Sequence, residues 1–298
     1  MLAAGRSTRF GAPKQLVPVG PHGEALLDYA LFDAARAGFR DAVLVISAAV
    51  EPDFRRHLAS LFSPQFPVRF AYQADRPAPE SGSGPDLKPW GTGHALLCAA
   101  PLLTGSFGVC NADDFYGADA FRVLHGYIAS QPPAAANHAL VAFRLDATLS
   151  PHGGVSRAVV ERDPAGDVVR ITEVLDVARR GGTISGRDVA GAAVRLSGPE
   201  PVSMNLWGFT PAVLPHLRRQ FAEFERAHAG DPQAEFLIST AINAQVAAGQ
   251  ARVRVLEASG QWLGMTFRQD ADRVRGEIAS LVAAGAYPSP LRIGRRES

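Results

Sequence analysis

Two adjacent carboxylates, Asp113 and Asp114, follow the apolar run Phe107–Cys110. If that run is a strand, both lie at its carboxyl end, where open α/β sheets bind their ligands. Carboxylates there suit Mg²⁺, which takes one or two of them together with substrate phosphates. Neighbouring strand residues point to opposite faces, so we expect Asp113 to bind the metal and Asp114 to support it or face a second ligand. The alternative interpretation is that an aspartate here caps the helix that begins near Ala118.

A second segment joins small residues to basic ones. The run Leu2-Ala-Ala-Gly5 is followed by Arg9 and by Lys14-Gln-Leu16. Small residues let the main chain approach a phosphate, and successive N–H groups in a turn can bind an anion. An arginine fork with a lysine charge suits a polyphosphate. The alternative interpretation is a flexible turn with solvated basic side chains.

A third segment, Trp90-Gly-Thr-Gly-His94, is a glycine-bounded turn that opens a helix. Backbone N–H groups of such a turn can bind the edge of a nucleotide base, because glycine places no side chain in the way. His94 is equally well explained as a polar residue at a helix start.

The elements that position these segments alternate along the first half of the chain. Short β-branched or aromatic runs, typical of buried strands, lie at 42–47, 68–72, 107–111 and 138–143. Helical patterns separate them at 25–37, 52–61, 93–100 and 118–130. This alternation predicts an α/β fold with a mainly parallel sheet. Later, Pro164-Ala-Gly166 predicts a β-hairpin turn, and 76–89 and 179–200 are expected to be long loops.

Composition excludes several classes of protein. The 298 residues include 30 Lys+Arg and 29 Asp+Glu, a net charge of +1, so bulk charge does not favour nucleic-acid binding. No apolar stretch reaches the roughly 18 residues that a membrane-spanning helix needs, and no signal peptide is evident. Two cysteines are too few for a disulfide framework. We therefore expect a cytoplasmic protein with neither nucleic-acid nor membrane partners.

Together these segments resemble one enzyme family. The run LAAG with its following Arg and KQL, the segment GTGHA and the segment NADDFYG resemble the sugar-nucleotide pyrophosphorylases, nucleotidyltransferases of the NTP transferase family. The resemblance implies a three-layer α/β/α, glycosyltransferase-A-like (Rossmann-like) fold whose mixed central sheet is mainly parallel. It also implies one domain over residues 1–288, with a nucleotide half (1–145), a sugar-phosphate half (146–288) and a tail over 289–298.

On the nucleotide side, the resemblance assigns roles by matching positions. Ala4 and Gly5 would lie against the nucleotide, Arg9 would hold the phosphates and Lys14 would neutralise charge at the α-phosphate. This chain has only Met1 and Leu2 before the loop, where relatives have several apolar residues. The first strand is therefore very short, or the protein starts upstream of Met1.

The base would be bound by Gln73, at the end of the preceding strand, and by Gly91. Glutamine hydrogen-bonds uracil and thymine equally well, so UTP and dTTP are favoured. On the other side of the site, Gly154, Glu173 and Asn205 match residues that bind the sugar phosphate. The Lys-Pro that follows the family's glutamate is replaced here by Val174-Leu175, which leaves the sugar open.

The late metal aspartate of many relatives, in a W-x-D segment, is absent after Trp262. Asp270 is the nearest carboxylate, and it could bind Mg²⁺ with Asp113 or instead cap the last helix.

The implied reaction converts an NTP and a sugar 1-phosphate to an NDP-sugar and pyrophosphate, assisted by Mg²⁺. Three alternatives stay open: nucleotidyl transfer to a non-sugar phosphate or alcohol, a sensor that binds nucleotide or sugar phosphate without turnover, and a glycosyltransferase. The glycosyltransferase is least favoured, because its metal turn would need D-x-D where this chain has D-D.

Overall fold

Helices and strands alternate along the computed structural model, which describes residues 1–5, 13–59, 66–74, 89–265, 267 and 269–292. The helices are α1 (Leu26–Ala37), α2 (Glu51–Leu58), α3 (Thr92–Ala99), α4 (Ala118–Ala129), α5 (Val213–Ala227), α6 (Ile238–Ala247) and α7 (Asp270–Ala283). The strands are β1 (Ala42–Ile46), β2 (Val68–Tyr72), β3 (Phe107–Val109), β4 (Asp114–Phe115), β5 (Asn137–Arg144), β6 (Val155–Arg162), β7 (Val168–Arg180), β8 (Thr183–Asp188), β9 (Ala193–Leu196), β10 (Pro201–Phe209), β11 (Arg252–Glu257) and β12 (Leu263–Gly264).

Alternating side chains of β1 show that helices cover both faces of the sheet. Val43 and Val45 pack in a cluster with residues of α3, whereas Leu44 and Ile46 pack with Leu27 and other residues of α1. A strand buried on both faces has this character because successive side chains point in opposite directions. The predicted α/β class with helices on both faces of a central sheet is therefore confirmed.

The largest sheet has the strand order β11-β5-β10-β6-β7-β8-β9, with β3 pairing β10. Within it, β11 and β5 are parallel, and the remaining pairs are antiparallel. A separate parallel pair joins β1 to β2. The parallel part is thus smaller than the alternation in the first half predicts. That alternation holds up to α4, but from β5 to β10 hairpins replace helical crossovers.

The second half contains more strand than the sequence suggests. The hairpin predicted at Pro164-Ala-Gly166 is confirmed by the antiparallel pairing of β6 with β7. The long loop expected over 179–200 is wrong: β7 extends to Arg180, and β8 and β9 follow it. Gly181 and Gly182, both with positive φ, form the tight turn that joins β7 to β8. The loop expected over 76–89 lies almost entirely outside the described residues.

A buried polar contact fastens the last described residues to α1. Tyr287 donates a hydrogen bond of 2.8 Å to Oδ2 of Asp33, and the Oδ1 atom of Asp33 has no partner among the described residues. Leu291 is buried in the same core. Burial raises the pKa of Asp33 to about 7, although the bond from Tyr287 opposes that rise. In the described chain, no helix has the length and apolar character needed to cross a bilayer.

The raised pKa of Asp33 predicts a pH-dependent stability. The unfolded carboxyl loses its proton near pH 4 but the folded one near pH 7, so this group's contribution is complete below pH 4 and is lost as the pH rises to 7. We expect Asp33→Asn to be more stable than the wild type at pH 8, by about 1 to 4 kcal/mol, and to lose that advantage at pH 4. Urea unfolding at both pH values measures this, with the exposed Asp272→Asn as control. Equal effects of Asp33→Asn at both pH values would refute it.

Candidate functional site

The backbone of Leu2 joins the first loop to the turn that carries the carboxylates. Its N–H donates to the carbonyl of Cys110 at 2.8 Å, and its carbonyl accepts from the N–H of Ala112 at 3.0 Å. On the other side, the N–H of Ala3 donates to the carbonyl of Val45 at 2.8 Å. One residue therefore serves as a strand between β1 and the turn that follows β3.

This backbone connection brings the first loop close to the carboxylate turn, and an ion pair joins the two segments. Lys14 begins a short 3₁₀ turn, and its Nζ atom lies 2.8 Å from Oδ2 of Asp113. The two side chains are 17% and 26% exposed, so both can be reached from solvent. Arg9, the other predicted phosphate ligand, lies outside the described residues. Ala4 is buried, and Gly5 is exposed with its carbonyl accepting from Nε2 of Gln15.

Asp114, the first residue of β4, is buried, unlike Asp113 in the turn before it. Its Oδ2 atom accepts hydrogen bonds from Nδ2 of Asn111 at 2.9 Å and from the hydroxyl of Tyr116 at 3.2 Å. Burial, and then the neighbouring charge of Asp113, raise the pKa of this carboxyl. The alternation expected within one strand does not apply here, because Asp113 lies in a turn. Asp113 is nevertheless accessible, whereas Asp114 is held by protein groups.

Asn205 extends this polar network from a strained position in β10. Its φ of 64° is left-handed, and the pairing of β10 with β5 shifts register between Ser203 and Leu206. Its Nδ2 atom donates to Oδ1 of Asn111 at 2.7 Å, and its Oδ1 accepts from the indole N–H of Trp207 at 2.9 Å. The bulge thus turns Asn205 toward the carboxylate turn.

These groups line an open cleft of about 390 Å³. Predicted residues at its wall are Lys14, Asp113, Glu173 and Asn205. A cavity of about 420 Å³ elsewhere, beside Phe39, Val43 and Phe107, has mainly apolar walls. The polar cleft brings these four predicted residues together, whereas the described wall of the apolar cavity includes none of the predicted site residues.

The predicted base-binding residues meet at one turn. Nε2 of Gln73 donates to the carbonyl of Gly91 at 3.0 Å and lies 3.2 Å from Nδ1 of His94. Gly91 has a φ of 94°, and a Cβ there would come within 2.9 Å of the carbonyl of Phe236. Glycine is therefore required for both backbone conformation and space. Neither Gln73 nor Gly91 is among the residues that line the cleft.

The predicted sugar-side residues are only partly brought together. Glu173 lies at the cleft wall, and burial raises the pKa of its carboxyl, an effect opposed by Arg157. Gly154 instead packs against Asp176, with which a Cβ at this position would collide. The described cleft wall does not include Gly154.

Asp270 is held by residues that precede its own helix. Its Oδ2 atom accepts from the backbone N–H of Phe267 at 2.7 Å and its Oδ1 from Ser150 at 3.1 Å, with 1% of the residue exposed. It begins α7 and does not line the described cleft. Both carboxylate oxygens already have partners, and neither partner is an N–H group of α7, so the side chain does not cap the first turn of that helix. A role for Asp270 as a metal ligand stays a prediction.

The donor set fits a metal shared with a substrate rather than one enclosed by protein. No group of three or more His, Cys, Asp or Glu among the described residues could hold a metal ion. Asp113 is a single accessible carboxylate in an open cleft. Mg²⁺ is commonly bound in this manner, by one or two carboxylates with substrate phosphates and water.

Arg157 and Trp262 are among the cleft residues that sequence reasoning missed. The sequence of β6 does carry a signal for Arg157, because this residue shares a buried face with Val155, two residues earlier. A charged residue on the apolar face of an alternating strand indicates a special environment. The sequence around Trp262 indicates only the absence of the family's late aspartate, which says nothing of the indole itself.

Parts of the sequence are similar to known proteins. Residues 1–84 match the family model of the MobA-like NTP transferase domain. Over 182 residues, which are 59% of this chain, the sequence is 31% identical to the bifunctional protein GlmU of Pelobacter propionicus (strain DSM 2379 / NBRC 103807 / OttBd1). The match spans 33% of that relative's length.

A solved structure, the inositol-1-phosphate CTP transferase from T. maritima, is similar with a TM-score of 0.55. The similarity covers 93% of this chain and 94% of that one at 13% sequence identity, and so shows the fold alone. Together, the comparisons confirm the resemblance to the nucleotidyltransferases.

Two variants can separate the energetic cost of the left-handed backbone at Asn205 from the contribution of its hydrogen bonds to stability. Asn205→Gly and Asn205→Ala both remove the bonds to Asn111 and Trp207, but only alanine must be forced to a φ of 64°. We expect Asn205→Ala to be about 1 kcal/mol less stable than Asn205→Gly. Urea unfolding of the two variants measures the difference. Equal stability would show that the left-handed backbone imposes no strain here.

Proposed function

We propose that this relative of the NTP transferases transfers a nucleotidyl group from an NTP to a sugar 1-phosphate, releasing pyrophosphate. The observation that carries the proposal is the convergence of Lys14, from the first loop, and Asp113, from the turn after β3, at 2.8 Å in an open polar cleft. A lysine ammonium and an accessible carboxylate at the carboxyl ends of strands suit a metal-bound polyphosphate.

In this proposal, catalysis is positioning and charge neutralisation. An oxygen of the acceptor's phosphate attacks the α-phosphorus in line, and pyrophosphate leaves from the opposite side, so no covalent protein intermediate is needed. Lys14 neutralises charge at the α-phosphate, and Arg9 holds the leaving pyrophosphate. Ala4 and Gly5 offer main chain that a nucleotide can approach closely.

Asp113 would hold the Mg²⁺ ion. The positive charge of that ion would reduce the repulsion between the acceptor's phosphate and the α-phosphate, which are both anionic. Lys14 pairs with the Oδ2 atom of Asp113, so the Oδ1 atom would hold the metal while the ammonium stays close to the substrate's phosphates.

The two halves of the chain would serve the two substrates. Residues 1–145 would bind the nucleotide, with Gln73 and Gly91 at the base. Residues 146–288 would bind the acceptor, with Glu173 and Asn205 as polar contacts and Gly154 in a supporting position. UTP and dTTP stay the favoured nucleotides, and a cytoplasmic location stays a prediction.

A non-sugar phosphate as acceptor is favoured by one observation. Val174 and Leu175 follow Glu173 where the resembling family has Lys-Pro, so the wall lacks that lysine. The assay therefore includes polyol phosphates and choline phosphate beside sugar 1-phosphates.

The expected result is pyrophosphate release that depends on one NTP, one phosphorylated acceptor and Mg²⁺. Each of the four NTPs is paired with the panel of acceptors. Lys14→Met and Asp113→Asn should each lower kcat at least 100-fold, equivalent to about 2.7 kcal/mol or more of barrier. The matched control is Asp119→Asn, because Asp119 lies on α4 and interacts with Arg122 and Ser259.

Wild-type rates in either site variant would overturn the roles given to Lys14 and Asp113. Thermal stabilisation by nucleotide without pyrophosphate release for any pair would instead identify a sensor.

A further inference from the structure

Arg157 is a buried cation whose hydrogen bonds all go to neutral atoms. It is 7% exposed, and its Nε atom donates to Oγ1 of Thr148 at 2.9 Å. Its two terminal nitrogens donate to the carbonyl oxygens of Ser156 and Thr148. A guanidinium has more N–H donors than these three bonds use.

No carboxylate among the described residues pairs directly with Arg157, although three act on its charge. Burial lowers the pKa of its guanidinium to about 10, while Asp114, Glu173 and Asp270 oppose the shift from longer range. Of these carboxyls, Asp114 bonds Asn111 and Tyr116, and Asp270 bonds Ser150 and Phe267. A buried charge without a bonded counterion is costly, so its presence at a cleft wall suggests that a ligand supplies the counterion.

A second buried donor lies beside it. The guanidinium carbon of Arg157 is 5.3 Å from the ring centre of Trp262, which is 6% exposed. The indole Nε1 atom of Trp262 is buried and has no hydrogen-bond partner among the described residues. Both residues line the same cleft as Lys14, Asp113 and Glu173. An unsatisfied buried N–H next to a buried cation is a donor pair suited to an oxyanion.

We propose that Arg157 and the indole N–H of Trp262 bind the phosphate group of the acceptor. This inference rests on the proposed function and narrows it: the acceptor is a phosphate ester and not a free alcohol. Arg157 thereby supplies, from β6, the positive charge that Val174 and Leu175 do not provide after Glu173.

Inorganic phosphate is the probe for the first test, because it needs no knowledge of the acceptor. The chain has 3 Trp, so ¹H–¹⁵N spectra show three indole signals, and Trp262→Phe identifies the one that belongs to Trp262. We expect phosphate to shift that signal downfield saturably in the wild-type chain. Lys14→Met should retain the shift, which would separate this site from phosphate binding at the first loop.

Variants of Arg157 provide the second test. Arg157→Met should abolish the shift of the Trp262 signal, and Arg157→Lys, which keeps the charge, should retain a weaker one. Arg170→Met is the control, because Arg170 is exposed and pairs with Glu161. The signals of Trp90 and Trp207 report whether each variant is folded. A Trp262 signal unaffected by phosphate in the wild type, or equally affected in Arg157→Met, would overturn the proposal.

Steady-state kinetics test this inference separately from the proposed function. With the best acceptor, Arg157→Met should raise the KM for the acceptor at least tenfold and change the KM for the NTP less than threefold. Equal increases in both would overturn the role of Arg157. A phosphate-dependent shift at Trp262 without pyrophosphate release for any substrate pair would leave the anion site standing and refute the transferase.

Discussion

The candidate site depends on hydrogen bonds made by the backbone at Leu2 and Ala3. Bonds to Cys110 and Ala112 on one side, and to Val45 on the other, bring the first loop beside the carboxylate turn. The ion pair between Lys14 and Asp113 spans 99 residues of sequence, and the chain can make it because this short backbone connection brings the two segments together. Side chains at the site are therefore positioned by main-chain geometry, as in other open α/β sheets.

The cleft contains two cations in different states. Lys14 is partly exposed and already paired with Asp113, so it can exchange one anionic partner for another at little desolvation cost. Arg157 is buried, bonded to neutral oxygens and stacked on Trp262, so its desolvation is complete before any ligand arrives. A ligand anion gains more from such a preorganised cation, because the protein does not have to reorganise on binding.

Much of the fold, but less of the site, could be predicted from the sequence. The first half was readable because buried parallel strands are continuous apolar runs and α1 follows the helical period up to Gly38. The strand β8 was missed because most of its residues are polar, and β9 because it has only four residues, none of them buried. Arg157 and Trp262 were missed because the partners of a buried donor come from distant segments, which residue spacing does not reveal.

Asp113, Asp114 and Asp270 show how surroundings divide one residue type into three roles. The first is accessible and paired with a movable cation, the second is buried among Asn111 and Tyr116, and the third has both oxygens bonded at the start of α7. Burial and the charge of Asp113 both favour the neutral form of Asp114. The strand end therefore presents less negative charge than its two carboxylates suggest. Because a polyphosphate is itself strongly anionic, that reduction favours its binding beside Asp113.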